Sequence, residues 1–352
     1  MTEVFNCSYL INLCKKVPAP EAPEAPEAAE GVSRNYSLEY NNIHPEWITG
    51  ISDRSASFSI IVYKRKEGNW NIKPVFEILV NNKYKEVLDN LNIYFKKGSI
   101  YNLKRAEAPV HKKNYIFRVN KFKDLNDVIV PHFKKYPLLS KKRINFYMWA
   151  ECIELINNKE HKNEKGFYKL ISLYANIGRG LSKKVAKSFP NIVEINKPIY
   201  IKPKNDLSLY WLSGYFCMYC NFKIDANPHG FKQSIYNRIV PSFNISRNIE
   251  ELPLMECIAN YFNVSPKIRS NGLRVDVNVY GLDKTRNVIN LFNTFPLSSN
   301  KHKEFIKWSE IINKLISLSN IPKSNKLSLD YYIPMFHKLI NELKDLRNSN
   351  KT

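Results

Sequence analysis

The stretch Asp206 to Phe222, DLSLYWLSGYFCMYCNF, carries Cys217 and Cys220 in a C-x-x-C spacing. Such a pair could ligate a metal ion or cycle between dithiol and disulfide. The same stretch, WLSGYF above all, also reads as an apolar helix containing one small residue. A structural zinc site takes four ligands, and the other cysteines (Cys7, Cys14, Cys152 and Cys257) form no second C-x-x-C. His229, Cys152 and Cys257 would have to converge on the pair from distant parts of the chain. Small thiols buried on a helix interface are the simpler account, so no metal site is expected. Six scattered cysteines in 352 residues make no disulfide framework, which points to a reducing compartment.

The other side chains that could do chemistry are cations. Lys and Arg number 54 against 32 Asp and Glu, a formal charge of +22. An excess of this size suits a polyanion, because each neutralised phosphate releases condensed counterions; an ordinary basic surface is the alternative. No apolar run approaches the roughly 20 residues of a membrane span. Many of the cations fall in or beside β-like segments: Lys64, Arg65, Lys66, Lys104, Arg105, Lys112, Lys113 and Arg118, then Lys223, Lys232, Arg238, Lys267, Arg269 and Arg274. Alternation along a strand puts one set of side chains on one sheet face. A curved basic face interleaved with Tyr, Asn and Gln suits phosphates and base edges in a duplex groove.

Positioning them requires a repeated scaffold. Trp47 in EWITGISDRSASF and Trp211 in YWLSGYFCMYCNF lie 164 residues apart. PVFEI at Pro74 and PSFNI at Pro241 are 167 apart, and the prolines of DLNDVIVPHFKKYPL and DKTRNVINLFNTFPL are 159 apart. Three matches in the same order at nearly one offset indicate two copies of one domain. Each copy reads as a helix, ending near Ser52 or Cys217, then two strands, a helix, two strands and a closing helix. The strand segments of copy one are SFSIIVYKRK, NIKPVFEILV, GSIYNLKR and KNYIFRVN. The fold class is therefore α+β, tandem αββαββα repeats. The expected division is 1–35 leader plus Pro/Ala/Glu linker, 36–160 first repeat, 161–205 inter-repeat linker and 206–345 second repeat. VPAPEAPEAPEAAEG (Val17 to Gly31) cannot bury apolar area and should be extended.

WITGISDRSASF and WLSGYFCMYCNF resemble the signature helix of the LAGLIDADG homing endonucleases, commonly close to W-L-[TS]-G-F-x-[DS]-x-E-G-x-F. PHFKKYPLLSKK with INFYMWAECIELINNKEH, and GFYKLISLYANIGRGLSKKVAKSFPNI, are similar to segments of the two-repeat forms from fungal mitochondrial introns. The resemblance implies two signature helices packed on a pseudo-twofold axis between curved antiparallel sheets. It also implies close backbone approach at Gly50 and Gly214, beside Thr49 and Ser213. In active members an acid at each helix end holds Mg²⁺ over the scissile phosphate. Here those acid positions are Ser55 and Tyr219, each followed by a residue other than glycine, Ala56 and Cys220. A hydroxyl or a neutral phenol is a poor ligand for a hard cation. Asp53, two residues earlier, is turned by about 200° along a helix, away from the metal position.

The resemblance thus implies a monomeric nucleic-acid-binding protein without intact catalytic acids and with no expected cofactor. Its partner would be group I intron RNA, as for a maturase, or double-stranded DNA, with a ribonucleoprotein such as the organelle ribosome as a related possibility. The alternative is an active site-specific endonuclease with a divergent metal site. The bias toward Asn, Lys and Ile and the lack of a good transit peptide fit a mitochondrial protein encoded in the organelle.

Overall fold

A computed structural model describes residues 43–348 apart from 67, 69, 104–113, 179, 193–194, 196, 205, 227–238 and 320–328. The leader, the Pro/Ala/Glu segment and the cations Lys104, Arg105, Lys112, Lys113, Lys232 and Arg238 lie outside the described residues.

Helix α1 (Pro45–Ser55) begins where His44 accepts the Glu46 amide and Pro45 fills the first turn, where a missing N–H costs nothing. It runs past Ser52 to Ser55, because no breaker interrupts its last turn and only the β-rich run from Ala56 ends it. Four strands follow: β1 (Ala56–Lys64), β2 (Trp70–Asn81), β3 (Ser99–Leu103) and β4 (Asn114–Val119), with α2 (Lys85–Phe95) between β2 and β3. They pair antiparallel in the order β1-β2-β4-β3. A helix α3 (122–135) then contains a π turn, Leu125–Ile129, directly before Pro131. Pro131 has no N–H for a regular turn, and the wider turn accommodates it. Next come α4 (Lys142–Asn157), α5 (Glu164–Asn176) and α6 (Lys183–Ser188).

The second copy repeats the plan with α7 (Leu209–Phe216), β5 (Asn221–Ala226), β6 (Ile239–Asn248), α8 (Leu252–Tyr261), β7 (Lys267–Ile268), β8 (Arg274–Tyr280), α9 (Leu282–Thr294) and α10 (Ser299–Ser319). Its sheet order is β5-β6-β8-β7, antiparallel throughout. The DLNDVIVPHFKKYPL and DKTRNVINLFNTFPL segments fold as α3 and α9, so αββαββα in each copy is followed by one further helix. A last helix, α11 (Leu329–Asn348), packs Phe336, Leu339 and Leu343 into the core and joins α10 through Lys307–Glu342 at 2.9 Å.

One face of each sheet is covered by helices. Phe58, Phe76, Phe117, Phe133 and Trp149 fill the first core, and Phe222, Phe243, Phe292, Phe305 and Trp308 fill the second. The duplication extends to single hydrogen bonds. The Trp149 indole donates to the Ser59 carbonyl at 3.0 Å, and the Trp308 indole donates to the Lys223 carbonyl at 2.9 Å. The molecule is an α+β pseudo-dimer within one chain. Among the described residues no helix is long and apolar enough to cross a membrane.

Candidate nucleic-acid interface and helix seam

Helices α1 and α7 meet backbone to backbone. A Cβ at Gly50 would fall on the Trp211 carbonyl oxygen and crowd the Tyr215 amide at 2.8 Å; one at Gly214 would fall on the Trp47 carbonyl. Only glycine fits a crossing this close. Thr49 and Ser213 beside them tie each helix to its own copy: the Thr49 hydroxyl donates to the Tyr136 carbonyl at 3.1 Å, and that of Ser213 to the Pro296 carbonyl at 2.9 Å. At the starts of the helices His44 stacks on Tyr210 with centroids 3.8 Å apart, and Ser208 donates to the Glu46 carboxylate.

At the other end of the seam lie Ser55 and Tyr219, the positions where the resemblance implies metal-holding acids. Ser55 is the last residue of α1, and its hydroxyl is buried with no hydrogen-bond partner among the described residues. Tyr219 is 38% exposed, and the Arg54 guanidinium sits over its ring, 4.6 Å from the centroid. Asp53 is fully buried and committed elsewhere, accepting from the Leu139 and Ser140 amides at 2.9 and 2.8 Å and from the Trp211 indole at 2.8 Å. Burial pushes its carboxyl above the usual range, and those three donors pull it back. A hydroxyl, a phenol and a guanidinium do not fit Mg²⁺, which takes carboxylate and water oxygens. Among the described residues no group of three or more His, Cys, Asp or Glu could hold a metal ion.

Cys217 and Cys220 are buried on the inner side of this end. Burial raises both thiols, that of Cys220 to about 12, so both are protonated at neutral pH. A thiol is a poor ligand and a poor nucleophile until it ionises.

Cations that the motif reading missed surround the same end. Lys142 and Lys301, at the starts of the two closing helices, stand at the 159-residue offset of the paired prolines. The Lys142 ammonium donates to the Ser52 carbonyl at 3.4 Å; that of Lys301 donates to the Cys220 carbonyl at 3.0 Å and to Glu304 at 2.7 Å. Burial, then the neighbouring Arg247, brings Lys142 down to about 7. The Arg247 guanidinium lies 5.9 Å from the Tyr215 ring centroid and 3.5 Å from the Glu251 carboxylate. The offset was a signal in the sequence. Arg54 and Arg247 gave none, because their proximity arises only when the copies dock.

The uncovered sheet faces carry the remaining candidates, and the two faces differ. On the second sheet Ser242 pairs with Lys223 and Tyr280, Asn244 with Asn221 and Asn278, Asp276 with Ser246 and Lys267, and Arg274 with Asn248. Lys223, Lys267, Arg269 and Arg274 are exposed there; the first three border one polar groove with Asn244, Asn278 and Tyr280, while Arg274 donates sideways to the Ser246 hydroxyl at 2.9 Å. Arg269 is bound to Asp276 at 2.7 Å. On the first sheet the open face is more apolar, with Ile61, Tyr63, Leu79, Tyr101 and Leu103 exposed. Lys73, opposite Ile61, adds a cation there. Arg118 is on this face but forms an ion pair with its strand neighbour Glu77. Lys64 shares its side of β1 with Phe58, Ile60 and Val62, the helix-covered side, while Arg65 and Lys66 lie exposed beyond the strand.

A family model described as LAGLIDADG endonuclease matches residues 48–153 and 212–312, which takes in most of both seam helices, both sheets and most of both closing helices. Probable intron-encoded endonuclease 3 of Neurospora crassa is 27% identical over 281 residues, covering 78% of this chain and 51% of the relative. Probable intron-encoded endonuclease 2 of the same organism is 23% identical over 321 residues, covering 81% and 66%. The chain thus spans about half to two thirds of the length of these relatives. Among solved structures, the LAGLIDADG homing endonuclease I-LtrWI bound to target DNA superposes with a TM-score of 0.73 at 25% identity, over 89% of this chain and 99% of that one. I-GzeII in complex with its DNA target gives 0.72 at 24%, over 86% and 98%. With two copies of the matching unit covering more than half its length, the chain belongs to the LAGLIDADG endonuclease family.

Proposed function

We propose that this protein holds a nucleic acid across its two open sheet faces and does not cut it. The observation that carries the reading is the Arg54 guanidinium stacked on Tyr219, at the helix end where the family pattern has a metal-holding acid. A cation there opposes metal binding, and Ser55 on the other helix offers only a hydroxyl. The net charge of +22 and the polar groove around Lys223, Lys267 and Asn278 support retention of binding. The target is intron RNA, held as by a maturase, or the duplex DNA into which the intron inserts; similar proteins are named as intron-encoded, and similar structures are bound to DNA. The protein acts as a monomer, because one chain already supplies both halves. Its setting is the mitochondrion, in keeping with relatives named for ND4 intron 1 of Podospora anserina and cox1 intron-2 of Schizosaccharomyces pombe.

The names of the relatives also favour a second reading, a working DNA endonuclease with a metal site built from other residues. Incubating the purified protein with Mg²⁺ and a duplex spanning the insertion junction separates the two. Binding by fluorescence anisotropy with no nick or double-strand break on a denaturing gel is the expected result. Metal-dependent cleavage overturns it. Acceleration of host-intron splicing by added protein selects RNA over DNA as the target.

A further inference from the structure

Arg54 is unusual for a residue so enclosed. It is half-buried, its Nε is sealed from solvent without a hydrogen-bond partner, and it makes no ion pair with any described residue. Burial, the largest influence, lowers its affinity for its own proton, and the nearby Arg247 acts in the same direction. The anions that might have neutralised it are spent. Asp53 is held by two amides and an indole, and Glu251 by Arg247 and the Lys141 amide, at 3.5 and 3.3 Å. The Tyr219 ring supports one face of the guanidinium and supplies no charge. An enclosed cation without a counter-charge is costly, and the cost is recovered when an anion binds. Guanidinium matches a phosphate with two parallel N–H donors.

We infer that Arg54 is a phosphate-binding residue: at the end of the helix seam its guanidinium takes a backbone phosphodiester of the bound nucleic acid directly, with no metal ion between them. This rests on the non-cutting reading above and deepens it. The shared ligand chemistry is the phosphodiester, from DNA or from RNA. The Ser55 hydroxyl, also without a partner among the described residues, stands next to it in the chain and offers a second donor. Neither group replaces the chemistry of a metal, because a guanidinium activates no water.

The test uses the full chain, a mixed-sequence DNA duplex of about 30 base pairs and an RNA duplex of equal length, with affinity measured over a series of salt concentrations. Arg54→Met should weaken binding roughly tenfold and reduce the log–log salt slope by about one, the signature of one lost phosphate contact. The duplex that shows this loss identifies the source of the phosphodiester. Replacing EDTA by Mg²⁺ at equal ionic strength should not strengthen binding of the unaltered protein. Unchanged affinity and slope in a folded Arg54→Met protein, on both duplexes, overturns the inference. If thermal melting shows that Arg54→Met does not fold, Arg54→Lys decides: a phosphate contact predicts the native slope with weaker binding, and unchanged affinity overturns it. Cleavage by the unaltered protein would refute the non-cutting reading whatever Arg54 does, whereas an inert Arg54 leaves that reading standing.

Discussion

The indole N–H of Trp211 on α7 donates to Asp53 Oδ2 on α1 at 2.8 Å, a buried bond between the two copies with no symmetric counterpart. Where the second helix should return it to Trp47, it has Cys217, which offers no carboxylate. At this pair the pseudo-twofold axis is therefore kept in backbone and lost in side-chain chemistry.

Asp53→Ala removes the acceptor of the Leu139 and Ser140 amides and of the Trp211 indole at once. Urea denaturation should show a loss of about 3–5 kcal/mol. Trp211→Phe should cost less, and the double variant should fall short of the sum, because the two share one bond.

Gly50→Ala and Gly214→Ala should each destabilise the fold by roughly 3 kcal/mol or more. The added methyl meets a carbonyl of the opposite helix, and backbone cannot rotate aside. Gly272→Ala serves as a control: its φ of +66° brings some strain, but no atom lies within 4 Å of the new Cβ. Thermal melting should rank both seam variants well below it.

His132 lies between the Tyr94 hydroxyl at 3.0 Å and that of Thr49 at 3.4 Å, and burial pushes it down to about 3. The unfolded chain takes up its proton near pH 6.5, the folded chain only near 3. Stability should therefore fall as pH drops from about 6.5 toward 3, by a few kcal/mol in all. His132→Phe should flatten that part of the pH–stability curve; an unchanged curve would mean that other groups carry it.

Lys223→Ala should weaken binding and lower the salt slope by about one, since its side chain stands exposed on the open face of the second sheet. Lys64→Ala should change the slope less, because its side of β1 is the covered one. Arg118→Ala should also change the slope less than Lys223→Ala, because Glu77 already neutralises that guanidinium.

Much of this was legible in the residues. The three paired anchors located the duplication, alternation gave the strands within a few residues, and the glycines of WITG and WLSG marked the seam. What escaped needed tertiary information. The ion pair of Arg118 with Glu77 depends on strand register, which alternation alone leaves open. Lys64 was legible in principle, since counting by twos from Phe58 puts it with the core residues; grouping it with Arg65 and Lys66 as one charged run hid that. Arg54 has no local signal, because the ring that it covers lies 165 residues away in sequence.

The seam has a consequence for how the molecule is assembled. Its contacts join residues about 160 positions apart, and the faces by which the two signature helices meet stay uncovered until both copies exist. A ribosome releasing the first half would expose an unpaired apolar helix for as long as the second took to appear. Divided at the inter-repeat segment, the halves should recombine as two polypeptides, and a half without its counterpart should seek another copy of itself.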